Sequence, residues 1–168
     1  MWEFLCPDQY VENIYKIDLE ELRNKGIKGI IMDLDNTLVP WKDHAVFPEV
    51  KEWIARVKNA GFRSCIVSNA RAQRGGELSD VFGIPAFWKA VKPRRRAFRK
   101  ALKLMGLKPS QAAVVGDQVF TDILGGNRLG LHTILVRPMD RKEFVTTMCI
   151  RKVERAVLYG LKRKGYLK

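Results

Sequence analysis

Two carboxylates separated by one residue, Asp33 and Asp35, follow the apolar run Ile30-Ile31-Met32 in the stretch Gly29 to Leu38, G-I-I-M-D-L-D-N-T-L. An apolar run that stops abruptly at acids reads as a buried strand surfacing at its C-terminal end. Charges inside such a strand are costly, so the acids are expected just past its tip, on the edge where open α/β sheets bind ligands. If the chain leaves its extended conformation after Asp33, both carboxylates can face one centre. One can then attack phosphorus while its other oxygen binds Mg²⁺, and the second can exchange a proton with the leaving group. A strand end with a solvated turn uses the same residues with no chemistry, because Asp-Asn-Thr also suits a turn.

Three further polar groups stand at comparable places: Ser68-Asn69 after the run Phe62 to Val67, Asp117 after Ala112 to Val115, and Lys92 after Phe87-Trp88. In a parallel sheet such endings converge on one edge, so residues far apart in sequence can form one site. Phosphoryl transfer needs positioning and charge neutralisation above all. Asp33 and Asp117 offer hard oxygen ligands suited to Mg²⁺. Lys92 can neutralise phosphate oxygens and Ser68 can donate a hydrogen bond to them, which together make a phosphate clamp.

The elements that must position these groups alternate. Residues 1 to 25 carry apolar spacing for short helices, with Asp18 and Glu21 as a helix start and Gly26 as a stop, and form a helical extension without chemistry. Pro48 opens a helix with Val50, Trp53, Ile54 and Val57 on one face, closed by Gly61. A weaker helix over 71–82 contains Gly75 and Gly76. Helices over 94–105 and 119–129, a strand over 133–136 and a long final helix opened by Asp140 and Glu143 complete the series. Alternation of this kind predicts an α/β protein: one domain over residues 1 to 168, with a parallel sheet of about five strands flanked by helices.

Composition narrows the class. The chain has 168 residues, 46% of them apolar, and no apolar stretch near 18 residues, which fits one core and excludes a membrane span read from sequence. The segment Met1 to Pro7 lacks the basic and apolar regions of a secretory signal, so a cytoplasmic location is expected. Cys6, Cys65 and Cys149 form no C-x-x-C pair, which argues against a disulfide framework or a zinc site, and Cys65 reads as a small core residue. Neither His44 nor His132 reads as a metal ligand, and G-I-K-G near residue 26 is too weak for a nucleotide loop.

The formal charge of +13 is unevenly placed. Lys92 to Lys103 holds seven basic residues and no acid; Arg137 to Lys168 holds ten basic and three acidic residues, a net of +7. Arg94, Arg95 and Arg96 sit in a helix's first turn, where positive charge opposes the helix dipole, which points to an anionic partner beside Lys92 or to a solvated basic face. The final helix reads as amphipathic, with Phe144, Val145, Met148, Val153, Val157 and Leu161 on one side, suited to packing on the sheet or to an anionic bilayer. Trp41 and Asp43, just after Thr37, are placed to shape the entrance.

In sequence order, D-L-D-N-T-L, S-N, K-P and G-D-Q-V-F-T-D resemble the four motifs of the haloacid dehalogenase (HAD) superfamily. The resemblance covers nearly the whole chain and is closest to the YqeG-type, class IIIA phosphatases, relatives of the phosphatidylglycerophosphate phosphatases. It implies a HAD-like Rossmannoid fold, with Asp33 as the nucleophile forming an aspartyl-phosphate and Asp35 as general acid and then base. It implies Mg²⁺ held by the carboxylates of Asp33 and Asp117 and the backbone carbonyl of Asp35, with Asp122 supporting the metal shell and Thr37 orienting Asp35. Ser68 and Lys92 would hold the phosphoryl group, with Asn69 nearby.

The spacing adds that Asp33 to Ser68 is 35 positions and Ser68 to Lys92 is 24, too short for an inserted cap domain. A capless site is open to large or surface-bound substrates. Together with the constellation, the two basic blocks and what the resemblance implies, this gives the expected function: a Mg²⁺-dependent phosphomonoesterase acting on a phospholipid head group, phosphatidylglycerophosphate first, at the cytoplasmic membrane surface. The alternatives are a nucleic-acid end phosphatase and a non-catalytic basic module that binds RNA or membranes. The oligomeric state is not legible.

Overall fold

The computed structural model describes residues 2–40, 46–70, 78–140 and 145–166. Six strands, β1 (Gln9–Val11), β2 (Gly29–Met32), β3 (Arg63–Val67), β4 (Ala86–Phe87), β5 (Ala112–Gly116) and β6 (His132–Val136), pair in parallel in the order β1-β6-β5-β2-β3-β4. The sixth, unexpected strand is β1, which pairs with β6 at the sheet edge. The N-terminal segment is thus not wholly helical. Gln9, Tyr10 and Val11 are too few and too polar to show a strand pattern, and pairing with β6 decides their conformation.

Strands β2 and β5 are fully buried apolar runs, β3 is buried from Cys65 to Val67, and alternate residues point to opposite faces. Ile30, Met32, Ile66, Val115 and Ile134 pack under α1 (Leu19–Asn24) and α2 (Pro48–Asn59), where Leu22, Val50, Trp53, Ile54 and Val57 complete one core layer. Ile31, Cys65, Val67 and Val114 face α3 (Arg95–Met105), meeting Ala97, Phe98, Ala101, Leu102 and Met105. Each large side chain buried this way contributes about 1.5–3 kcal/mol. Cys65 is one of them, and burial pushes its thiol up to about 12, so it is an inert core residue.

The expected helix punctuation holds. Asp18 accepts from the Glu20 and Glu21 N–H groups, Pro48 occupies the first turn of α2, and Gly106 closes α3 in the left-handed region at φ 62°. Residues 78–82 are helical; the remainder of the expected 71–82 helix lies outside the described residues. After β5 the chain makes a π-helical turn, Val119–Ile123, before α4 (Leu124–Asn127). The long final helix is α5 (Val145–Arg163); the Asp140–Glu143 start assigned to it from sequence falls partly outside the described residues. Among the described residues no helix is long and apolar enough to cross a membrane. Among the described residues no cap intervenes: the β2–β3 connection carries α2, and the β3–β4 connection is shorter still.

Candidate active site

Strand register brings the polar endings together. Met32 is level with Ile66 of β3 and Val115 of β5, so Asp33 emerges between the ends of both neighbours, one step before Ser68 and Asp117. The chain runs from β2 outward to β4 and then returns to the other side of β2, which makes the β2–β5 crevice the topological switch point. Beyond β2 the backbone folds on itself: the Thr37, Leu38 and Val39 N–H groups all donate to the Leu34 carbonyl, and Asn36 takes φ 61°. Asparagine tolerates that left-handed conformation better than most residues. Loop closure over this turn comes from beyond β6, where Met139 and Asp140 donate to Asn36.

Asp33, Asp117 and Asp122 are buried and present carboxylate oxygens within 4.8 Å of one another. Lys92, also buried, lies between two of them, with Nζ 2.5 Å from Asp33 Oδ1 and 2.6 Å from Asp122 Oδ1. Burial by itself would lower the Lys92 ammonium, but the charges of Asp122 and Asp33 outweigh it and leave it raised. The ammonium is therefore a fixed positive charge. Burial likewise pushes Asp122 up to about 6 against the pull of Lys92, with Asp33 adding to the rise. It lifts Asp117 well above the ordinary carboxylate range, with the Arg151 guanidinium opposing and Asp33 and Asp122 reinforcing.

Lys92 reaches this position on a constrained loop. Lys89 and Val91 both have positive φ, 50° and 54°, the latter a β-branched residue for which that region is sterically poor. Such conformations cost about 1–3 kcal/mol each and persist where the surroundings over-determine them. Here the Lys89 and Ala90 N–H groups donate to the Ala70 and Ser68 carbonyls, and the Lys92 N–H donates to Asn69 Oδ1 at 2.8 Å. Asn69, exposed itself, thus anchors the Lys92 backbone through its amide oxygen. Ser68 is buried, and its Oγ accepts from the Ala70 N–H at 3.0 Å, which leaves its proton available to an anion.

The Thr37 hydroxyl lies 3.4 Å from Asp33 Oδ2 and 3.4 Å from Asp117 Oδ1, between the two carboxylates; its described contacts are to them and not to Asp35, the partner expected from sequence. Asp35 is half-buried in the same turn, its backbone bridged to Val39. Asp122, expected to support the metal shell, ion-pairs with Lys92 and accepts from the Gln118 N–H. Gly116 is required beside it, since a Cβ there would overlap the Asp122 carboxylate. Gly116→Ala is expected to cost about 1–3 kcal/mol and lower Tm by at least roughly 2 °C, read by thermal denaturation; an unshifted Tm would contradict this close approach.

Arg95 and Arg96 lie in the first turn of α3, and Arg94 is its N-cap, not a first-turn residue as read from sequence. All three are exposed and line an open groove of about 470 Å³ with Arg99, Lys100 and Lys103. The groove therefore begins two residues after Lys92. Trp41 and Asp43 lie outside the described residues.

Two residues reach the site from α5 that the sequence did not assign to it: Arg151, read only as part of the final helix's basic side, and Glu154. Arg151 pairs with the Asp117 carboxylate, and Glu154, buried, accepts from the Phe120 N–H at 3.1 Å. The signal available was Glu154, the lone acid between residues 144 and 168, three positions after an arginine. Three clustered carboxylates turn hard oxygen donors to one point, an arrangement that fits a Mg²⁺ ion.

A parallel sheet with a carboxylate-lysine constellation at its switch point is the HAD architecture, and the chain belongs to the haloacid dehalogenase superfamily, as a HAD-type phosphatase. A family model described as HAD-hydrolase-like matches residues 90–138, and one described as mitochondrial PGP phosphatase matches residues 2–80. The chain is 45% identical to the "Probable phosphatase YqeG" of Bacillus subtilis over 98% of its own length and 96% of that protein. It is 32% identical, over 97% of its length, to the phosphatidylglycerophosphate phosphatase 1 (chloroplastic/mitochondrial) of Arabidopsis thaliana, of which it spans half. Among solved structures, an uncharacterized Listeria monocytogenes protein is similar with a TM-score of 0.55 at 24% identity, covering 82% of this chain and 99% of that one. The cobalt-bound deoxy-D-mannose-octulosonate 8-phosphate phosphatase of Haemophilus influenzae has a TM-score of 0.53 at 16% identity, covering 80% and 89%. Both share the fold.

Proposed function

We propose that the protein is a Mg²⁺-dependent phosphomonoesterase that works through an aspartyl-phosphate on Asp33 and acts on the phosphatidylglycerophosphate head group at a membrane surface. In this reading an Asp33 oxygen attacks phosphorus while the ester P–O bond breaks and the Asp35 carboxyl protonates the departing oxygen. Asp35, now a carboxylate, takes a proton from water, whose oxygen attacks phosphorus and releases phosphate from Asp33. Lys92 and the Ser68 hydroxyl hold the transferring group, and Asn69 fixes Lys92 through its backbone. Mg²⁺, when bound by Asp33, Asp117 and the Asp35 backbone carbonyl, would neutralise charge on the phosphoryl oxygens. Thr37 and Asp122 keep the two carboxylates and Lys92 in place.

The observation that carries the substrate reading is the basic groove of Arg94, Arg95, Arg96, Arg99, Lys100 and Lys103, which begins two residues after Lys92 at an edge with no cap among the described residues. An anionic lamellar surface can approach such an edge, with each basic residue near it contributing about 1 kcal/mol. The exposed basic residues of α5, Lys152, Arg155, Lys162 and Arg163, extend the same sign of charge. We read the chain as one domain whose N-terminal segment and basic C-terminal helix both belong to it. A polyanionic oligonucleotide would use the same groove. Phosphate release from phosphatidylglycerophosphate in mixed micelles, from a 3′-phosphorylated oligonucleotide and from an aryl phosphate, with and without a chelator, decides among these. Preference for the micelle and loss of activity with chelator are expected. Preference for the oligonucleotide rejects the lipid, and no hydrolysis of any substrate returns the chain to a non-catalytic basic module.

A further inference from the structure

Helix α5 turns a charged pair toward the site. Arg151, its side chain 14% exposed, bonds Asp117 Oδ2 through one guanidinium nitrogen. Its other nitrogen lies 2.5 Å from the Asp117 carbonyl and 3.1 Å from Glu154 Oε2. Glu154 in turn takes the Phe120 N–H, so α5 holds the segment Asp117 to Phe120 at both ends. Burial raises the Glu154 carboxyl while Arg151 lowers it.

The two central carboxylates are then treated alike. Lys92 holds Asp33 Oδ1, and Oδ2 stands beside Thr37 Oγ1; Arg151 holds Asp117 Oδ2, and Oδ1 stands beside the same Thr37 oxygen. Each acid has one oxygen fixed by a basic side chain, and the other is turned to a shared point. A carboxylate with two rotatable bonds gains direction from such a partner, and loss of an outer partner of a metal ligand typically costs 10- to 100-fold in affinity.

We propose that Arg151 is the positioning residue for Asp117, the counterpart of Lys92 for Asp33, so that the site's divalent-cation affinity is set from the C-terminal helix. The proposal rests on the reading of Asp117 as a cation ligand. Glu154 fixes the guanidinium and is the second member of the device. An arginine that merely offset the acids' charge would act oppositely, since its removal would tighten cation binding.

The test is calorimetric titration of the metal-free full chain with MgCl₂ or MnCl₂, for the wild type, R151Q, R151K, E154Q and K51Q. R151Q is expected to bind about 10- to 100-fold more weakly while keeping the wild-type circular dichroism. R151K should recover part of the loss, because an ammonium reaches one acceptor but lacks the fork. E154Q should weaken binding several-fold, and K51Q, on the exposed face of α2, should leave it unchanged. In phosphate release, the Mg²⁺ concentration for half activity should rise in R151Q with little change in kcat at saturating Mg²⁺. Unaltered or tighter binding by R151Q overturns the proposal, as does unaltered E154Q should R151Q fail to fold. If the wild type itself takes up no ion, it is the reading of the carboxylates as a cation site that fails, and the inference goes with it.

Discussion

Replacing Asp33 with Asn is expected to reduce Mg²⁺-dependent phosphate release at least about 10³-fold, the size of effect seen when a nucleophile is lost. The amide carbonyl can still accept from Lys92, and one of three crowded carboxylates loses its charge, so the fold has no reason to fail. Tm should move by less than roughly 5 °C. Steady-state phosphate release and thermal denaturation on the same preparation check both halves. Undiminished turnover would remove Asp33 from the nucleophile's role; lost activity together with a collapsed Tm would attribute the defect to stability.

Lys92→Met should have the largest effect on stability. The ammonium lies between two buried carboxylates, and deleting it leaves both charges without that partner in a poorly solvating site. Breaking a buried pair from one side costs about 3–5 kcal/mol, which for a domain of this size is roughly 6–20 °C in Tm. The deficit should depend on pH in a determined direction. Lys92 opposes the rise of Asp122, which burial has already pushed up to about 6, so its removal drives that carboxyl higher. An unfolded aspartate titrates near about 3.9, so the native variant holds more protons than the unfolded chain above that pH, and its stability falls as pH rises. The gap between variant and wild type should widen from about pH 5 to about pH 8. Denaturation curves at both values test this, and a gap that is constant or narrows upward would deny Lys92 its part in holding these charges.

The legible portion of this molecule is the portion built from long, pure patterns. Ile30 to Met32, Cys65 to Val67 and Ala112 to Gly116 are buried on both faces, and such segments announce themselves as unbroken apolar runs whose ends point to one edge. Asp33, Ser68, Lys92 and Asp117 could therefore be assembled before any coordinates. Less visible were features that depend on partners. β1 exists because β6 offers it an edge, and Val119–Ile123, read from sequence as the start of an ordinary helix, forms the π-helical turn that aims Asp122 at Lys92.

The C-terminal helix misled for a physical reason. Val153, assigned to the packing side, is 54% exposed, whereas Glu154 is 3% exposed and Leu161 is fully buried. Two opposite charges that satisfy each other and the Asp117 loop can occupy a buried face that hydropathy alone reserves for apolar residues. Thr37 shows the same limitation on a smaller scale: its hydroxyl sits between acids that are 84 positions apart in the chain, Asp33 and Asp117, and no local spacing reports that.

The pairing of β1 with β6 bears on biosynthesis. Gln9 is laid beside Ile134, and Asp8 receives the Thr133 N–H at 2.7 Å, so β1, which precedes β6 in the chain, has no docking edge until residues 132–136 have followed it. In chain order β2 and β3 are both complete before β6, and β1 can pair only once β6 is present. A nascent chain halted before β6 would carry Tyr10 and Val11 with nowhere to pair, a natural handle for a chaperone during synthesis.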